Sequence, residues 1–211
     1  MFWVFYLIEK TISHNLGRPS VINDDDIVVY LPRKKPVTQL PKRPEAYDIF
    51  RDQVMLAIIG SRICSELYSA SSQTKSEVDR MKVLGKLDNH LKRWRDGLPI
   101  EIRPEHPITC SEEQYVSVVM MHFAYLDAVI LLHRVSSHEE VFKSSNAKQS
   151  TSHDQQAQPY PRVRASRLLC LAAARRSIQL LDTFSKNNLQ NQHLMWFVML
   201  QLFHSNIKSR F

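Results

Sequence analysis

Residues 111–136, SEEQYVSVVMMHFAYLDAVILLHRVS, decide how the rest of the chain reads. Ser111 followed by Gln114, just ahead of a hydrophobic run, has the spacing of a helix-opening capping box. The helix it opens, Glu112 to Ser136, is apolar on nearly every side, with Tyr115, Val118, Met121, Phe123, Leu126, Ile130 and Leu132 pointing in all directions. A helix without a polar face belongs at the centre of a helical array. His122 and Asp127 interrupt the run, so Tyr115 to Leu132 reads as a core helix short of a clean membrane span. His122 is expected to be a satisfied core or interface histidine. Asp127 is expected to need pairing or neutralisation, because a charge cannot stay bare in such surroundings.

Composition agrees with helices. The chain of 211 residues holds only four glycines, far below the ~7% of an average protein. A β-rich protein of this size needs more positive-φ turn positions than that. Working outward, Val163 to Phe184 reads as a helix through Leu168, Leu171, Ala172, Ile178 and Leu181, and a last helix spans 190–207. Glu45 to Ser69 is a helix with Ile49, Leu56, Ile63 and Leu67 on one side. Gly60 lies on that side, either admitting a close neighbour or simply tolerated. After a polar break at Ser71–Thr74, Ser76 caps a helix with Asp79 three positions on, and Val83, Leu84, Leu87, Leu91 and Trp94 form its apolar face. Gly97 and Pro99 end it. Phe2 to Leu16 is a helix with Phe5, Ile8, Ile12 and Leu16 as its apolar stripe, stopped by Gly17 and Pro19. The fold class expected is all-α: an irregular array of about six helices. Residues 32–44 form a basic, proline-rich connection and 139–161 a polar flexible insertion. Because the chain starts inside its first helix and stops just after its last, both ends read as cut.

The net charge of +7 divides unevenly. Residues 1–44 carry +3, residues 45–157 carry −3 and residues 158–211 carry +7. Arg162, Arg164, Arg167, Arg175 and Arg176 suit a solvated face or an acidic partner surface better than a groove-reading helix. Arg33–Lys35 and Lys42–Arg43 have the layout of a nuclear import signal, which ordinary surface charge matches equally. Cys64, Cys110 and Cys170 are too scattered for a disulfide framework or a metal cluster, and suit a reducing, intracellular setting. The short motifs of serine hydrolases, zinc proteases and nucleotide-binding loops are absent, and no histidine pair has helical ligand spacing. No enzyme and no resident cofactor is expected.

One segment is more specific. Residues 2–32, FWVFYLIEKTISHNLGRPSVINDDDIVVYLP, resemble the signature of the fungal-specific transcription factor regulatory domain, the middle homology region of zinc-cluster (Zn2Cys6) transcription factors. The carriers are Phe2–Trp3, Leu16–Gly17–Arg18–Pro19, Asp24–Asp26 and Leu31–Pro32. Leu67–Tyr68–Ser69, Leu98–Pro99, Leu132–His133–Arg134 and the Cys170–Leu181 helix agree. The resemblance implies that residues 1–211 are part of a helical regulatory domain acting in the nucleus on transcription by RNA polymerase II. It implies as partners other regions of a transcription factor or coregulator proteins, with a small-molecule effector possible and no membrane. DNA would be read by a separate cluster of six cysteines holding two zinc ions, which this chain lacks. A stand-alone protein-interaction module and a small-molecule-binding helical domain are the alternatives. On the residues alone, the motif reads chiefly as a structural corner: Gly17 and Pro19 shape the exit, Arg18 is placed to pair with a carboxylate such as Asp24–Asp26, and Phe2, Trp3 and Phe5 anchor it.

Overall fold

The computed structural model describes residues 1–33, 47–147 and 161–187. The expected helix over 190–207 lies outside them, as does most of the 32–44 connection. Six α-helices follow in order: α1 (Phe2–Leu16), α2 (Ile49–Leu67), α3 (Ala70–Gln73), α4 (Glu77–Asp96), α5 (Glu112–Ala147) and α6 (Pro161–Asn187). Asp24–Asp26 and Ile100–Ile102 are single 3-10 turns. There is no strand among the described residues, so the all-α reading holds. The short helix α3 occupies the expected polar break at Ser71–Thr74. It starts because the Ser69 hydroxyl accepts the Ser72 N–H at 3.2 Å.

α5 lies at the centre, packed against α2, α4 and α6. Val118, Val119, Met121, Phe123, Leu126, Leu131 and Leu132 are buried around most of its circumference, each such side chain stabilising the fold by ~1.5–3 kcal/mol. By length and composition Glu112–Val135 is apolar enough to cross a membrane, contrary to the sequence expectation, and 56% of it is buried inside the protein. The helix continues to Ala147, so residues 139–147 of the expected flexible insertion are helical, while 148–160 are not among the described residues. The capping box does not close. Gln114 Oε1 accepts the Tyr47 N–H at 3.0 Å and its Nε2 donates to the Tyr47 carbonyl at 2.6 Å. This amide satisfies a backbone pair and fixes the chain as it enters α2.

α2 buries the expected Ile49, Leu56, Ile63 and Leu67. α4 follows its sequence reading most closely. The Ser76 hydroxyl accepts the Asp79 N–H at 3.1 Å, and Leu84, Leu87, Leu91 and Trp94 are buried. Val83 is only half-buried against the core. The Trp94 indole donates to the Asp52 carbonyl at 2.9 Å and its ring stacks on Tyr125 at 5.7 Å, tying α4 to α2 and α5 together. Gly60 makes no close helix approach, since a Cβ added there meets nothing within 4 Å. Gly60→Ala is therefore expected to raise stability by ~0.5–1 kcal/mol, read as a higher urea midpoint; a loss would show that the site is crowded after all.

α6 forms where the sequence places a helix, and Leu181 packs on the core, but most of its expected face is turned outward. Leu168, Leu171 and Ile178 are exposed, while Ser166, Ala173, Ser177, Leu180 and Phe184 are buried. The buried set, completed by half-buried Cys170, recurs alternately at four and three residues, the spacing of a packed helical seam. Its small members act as holes for the large side chains of α5. The Ser177 hydroxyl is satisfied by the Ala173 carbonyl at 3.1 Å, so burying it leaves no donor unmet.

Candidate functional site

The quoted segment 2–32 folds into a corner with a small core of its own, separate from that around α5. Trp3, Tyr6 and Val54 are buried there, with Phe2, Leu7, Ile22, Ile27, Leu31, Ala57 and Ile58 packed around them. Trp3 meets Phe2 and Tyr6 edge-on at 5.1 and 5.3 Å, and its indole N–H donates to the Tyr30 carbonyl at 2.8 Å. The segment after α1 therefore folds back over the helix that precedes it. Leu31 belongs to this cluster, and the carbonyl of Pro32 accepts from the Arg51 guanidinium on α2. Phe2, Trp3, Leu31 and Pro32 are thus brought together.

Leu16, Gly17, Arg18 and Pro19 sit at the exposed end of α1. Gly17 is left-handed at φ 64°, and the Gly17 and Arg18 N–H groups donate to the carbonyls of His14 and Ser13. This closes the helix as a Schellman motif, and only glycine adopts that backbone freely. Gly17→Ala is expected to cost ~1 kcal/mol, measured by thermal or urea unfolding; an unchanged midpoint would show that the turn tolerates a side chain.

The face that α1 buries is not the apolar stripe. Phe5 is 61% exposed and Ile8 51%, with Ile12 and Leu16 similar, whereas Trp3, Tyr6, Lys10 and Asn15 are buried. Phe5 consequently contributes nothing to the corner's anchor. Polar partners from the returning segment decide the orientation. The Tyr6 hydroxyl donates to Asp24 Oδ1 at 2.9 Å, and Lys10 Nζ pairs with the same carboxylate at 2.9 Å while donating to Ser20 Oγ and the Ile22 carbonyl. A lysine can be buried when its charge is paired and its donors are used. Lys10 thus takes the place expected of Arg18, which is exposed and makes no ion pair among the described residues. Burial, reinforced by the Asp24 charge, pushes the Tyr6 phenol above its ordinary range and keeps it a donor. Burial opposes ionisation of Glu9, but hydrogen bonds from Ser13, the Val21 N–H and Ser20 outweigh it and hold the carboxyl below its usual value.

The corner also reaches the central helix. His14 Nε2 makes a short ion pair with Asp127 Oδ2 on α5, and its Nδ1 faces Cys64 Sγ on α2 at 3.5 Å. Burial lowers the affinity of His14 for its proton, yet the bond to Asp127 overrides that and raises its pKa to about 10. Asp127 therefore finds the partner its position demanded. Nothing local in the sequence announces this pair, whose members are 113 residues apart. One turn beyond Cys64, the Tyr68 hydroxyl donates to the Leu131 carbonyl at 2.6 Å, and Arg134 lies over its ring. His122 is the satisfied core histidine expected: burial keeps it neutral and it donates to the Ile102 carbonyl at 2.8 Å.

Among the described residues no group of three or more His, Cys, Asp and Glu side chains is placed to hold a metal ion. Cys64 and Asp127 address opposite nitrogens of one imidazole, which leaves no common coordination point. The three cysteines stand on α2, in the loop before α5 and on α6, so these residues do not fit a zinc cluster. Arg164, Arg167 and Arg175 project into solvent from α6.

Residues 1–96, which span the corner, α2, α3 and α4, match the fungal specific transcription factor domain. An ABC-transporter-regulating transcription factor of Aspergillus fumigatus is 34% identical over 86% of this chain and 21% of its own length. A transcriptional regulatory protein of Schizosaccharomyces pombe is 30% identical over 86% of this chain and 26% of its own. Activator of stress genes 1 of Saccharomyces cerevisiae is 26% identical over 97% of this chain and 21% of its own. The chain thus spans between a fifth and about a quarter of the length of these relatives. No solved structure matches it. The likeness to the fungal specific transcription factor domain thus rests on residues 1–96, with the Trp3 corner at their head.

Proposed function

We propose that residues 1–211 work as part of the regulatory module of a nuclear transcriptional regulator. In this reading the module controls transcription by RNA polymerase II and holds the activity of the whole regulator in check. Its contacts are with other regions of the regulator or with coregulator proteins, and DNA is read by a separate zinc-cluster domain. The observation that carries the reading is the match of residues 1–96, supported by relatives whose names describe transcriptional regulators. The apolar stripe Phe5, Ile8, Ile12 and Leu16, left exposed on α1, supports contact with protein rather than with nucleic acid, whose recognition rests on gathered positive charge. The chain placed between a heterologous DNA-binding domain and an activation segment tests this in a reporter strain. Lower reporter output than from the same fusion without the chain is expected. Equal output, at equal protein level, would contradict a regulatory role.

A further inference from the structure

We infer that Cys64 is a modification site for soft carbon electrophiles of the α,β-unsaturated carbonyl class, with His14 and Asp127 as the groups that prepare it. The three side chains come from three helices and form one line: Asp127 on α5, the imidazole of His14 at the end of α1, and the sulfur of Cys64 on α2. The bond to Asp127 fixes the ring and leaves Nδ1 facing sulfur at 3.5 Å. Thiol, imidazole and carboxylate in this order are the parts that turn a cysteine into an ion-paired nucleophile. The retained proton on His14 supplies the positive partner for a thiolate.

Cys64 is half-buried, and the His14 and Asp127 side chains keep 23% and 14% of their surface in water, so the line of groups is not sealed from solvent.

The step balances without an oxidant. The Cys64 proton leaves to water, the thiolate is held against the imidazolium of His14, and the sulfur lone pair forms a C–S bond to the β-carbon. The C=C π bond breaks, its electrons move onto the enolate, and the α-carbon then takes a proton from the imidazolium; the imidazole so formed takes its proton back from water. The product is a thioether with every atom of both reactants retained. Because Cys64 stands where α1 meets α2 and α5, an adduct there displaces His14 from Asp127 and loosens the corner. Its use as an effector input rests on the regulatory reading proposed above; the chemistry does not.

The purified full chain, treated with limiting N-ethylmaleimide at neutral pH, tests it by peptide mass spectrometry of all three cysteines. Cys64 is expected to be alkylated about tenfold faster than Cys110 and Cys170, since an ordinary thiol is only a few per cent ionised at neutral pH. Both comparison thiols share its half-buried class, and Cys170 is held against the Ile130 carbonyl with burial raising its pKa. His14→Gln is expected to remove the advantage of Cys64 while the Cys170 rate stays constant, which also reports that the fold survives. Cys64 reacting no faster than Cys110 in the unmodified chain overturns the proposal without any variant, and so does an unchanged Cys64 rate in His14→Gln. The alkylation reads chemistry in the isolated chain whereas the reporter reads regulation, so either can fail while the other stands.

Discussion

Trp3→Ala is expected to release α1 from the array, destabilising the corner by about 3–5 kcal/mol, the cost of truncating a buried indole. Trp3 is 8% exposed, provides the ring against which both Phe2 and Tyr6 pack, and carries the hydrogen bond that folds Tyr30 back over the helix. Among the described residues the cluster it anchors has three buried members, so losing the largest of them empties most of the corner's apolar core. Limited proteolysis should cut within α1 in the variant under conditions where the parent chain resists. Phe5→Ala provides the contrast. The heptad-like stripe makes Phe5 look like an anchor, but it is largely exposed, and its loss should stay within about 0.5 kcal/mol. Equal sensitivity of the two variants would mean that α1 presents its other face to the array.

The second large effect is set by the ion pair between the corner and the central helix. His14 has a folded pKa of about 10 against 6.5 for a free imidazole. The folded chain therefore keeps a proton that the unfolded chain releases within that window. The resulting stabilisation is complete below pH 6.5 and fades as the pH rises towards 10, because it depends on the charged ring. Asp127→Asn should cost about 3 kcal/mol near neutral pH, the lower end of the range for breaking a buried pair since both partners keep some contact with water. It should also flatten the fall in stability between neutral and alkaline pH. Urea unfolding at a series of pH values reads both effects. A parent chain whose stability is level from pH 6.5 to 10 would show that the pair does not brace the corner.

What was legible in the sequence follows from where the deciding interactions lie. α5 could be placed at the centre because its lack of a polar face is a property of its own residues. α4 could be bounded because Ser76, Asp79 and Gly97 act within one turn of its ends. The faces of α1 and α6 were misread for opposite reasons. On α1, Lys10 looks like a solvent residue until Asp24, Ser20 and the Ile22 carbonyl come round to meet it. On α6, the seam is built from serine, cysteine and alanine, which hydrophobic periodicity ignores although their small size is what lets α5 come close. Gln114 was legible as a capping residue but spends its amide on Tyr47, a partner 67 residues away. The motif residues Phe2, Trp3, Leu31 and Pro32 proved to share one place. The brace of His14, Asp127 and Cys64 gave no sign in the sequence beyond the need of Asp127 for a counter-charge.

The segment 2–32 is a corner hung on the array by the Trp3 cluster and the His14–Asp127 pair, and it opens apart from the core around α5. Native-state hydrogen exchange of the full chain measures this directly. Amides of α1 should exchange through openings that cost less free energy than those of α2, α4 and α5, the pattern of a separate cooperative unit. The gap should widen in Asp127→Asn. Amides of α1 and α5 exchanging at one common free energy, and shifting together in that variant, would contradict it.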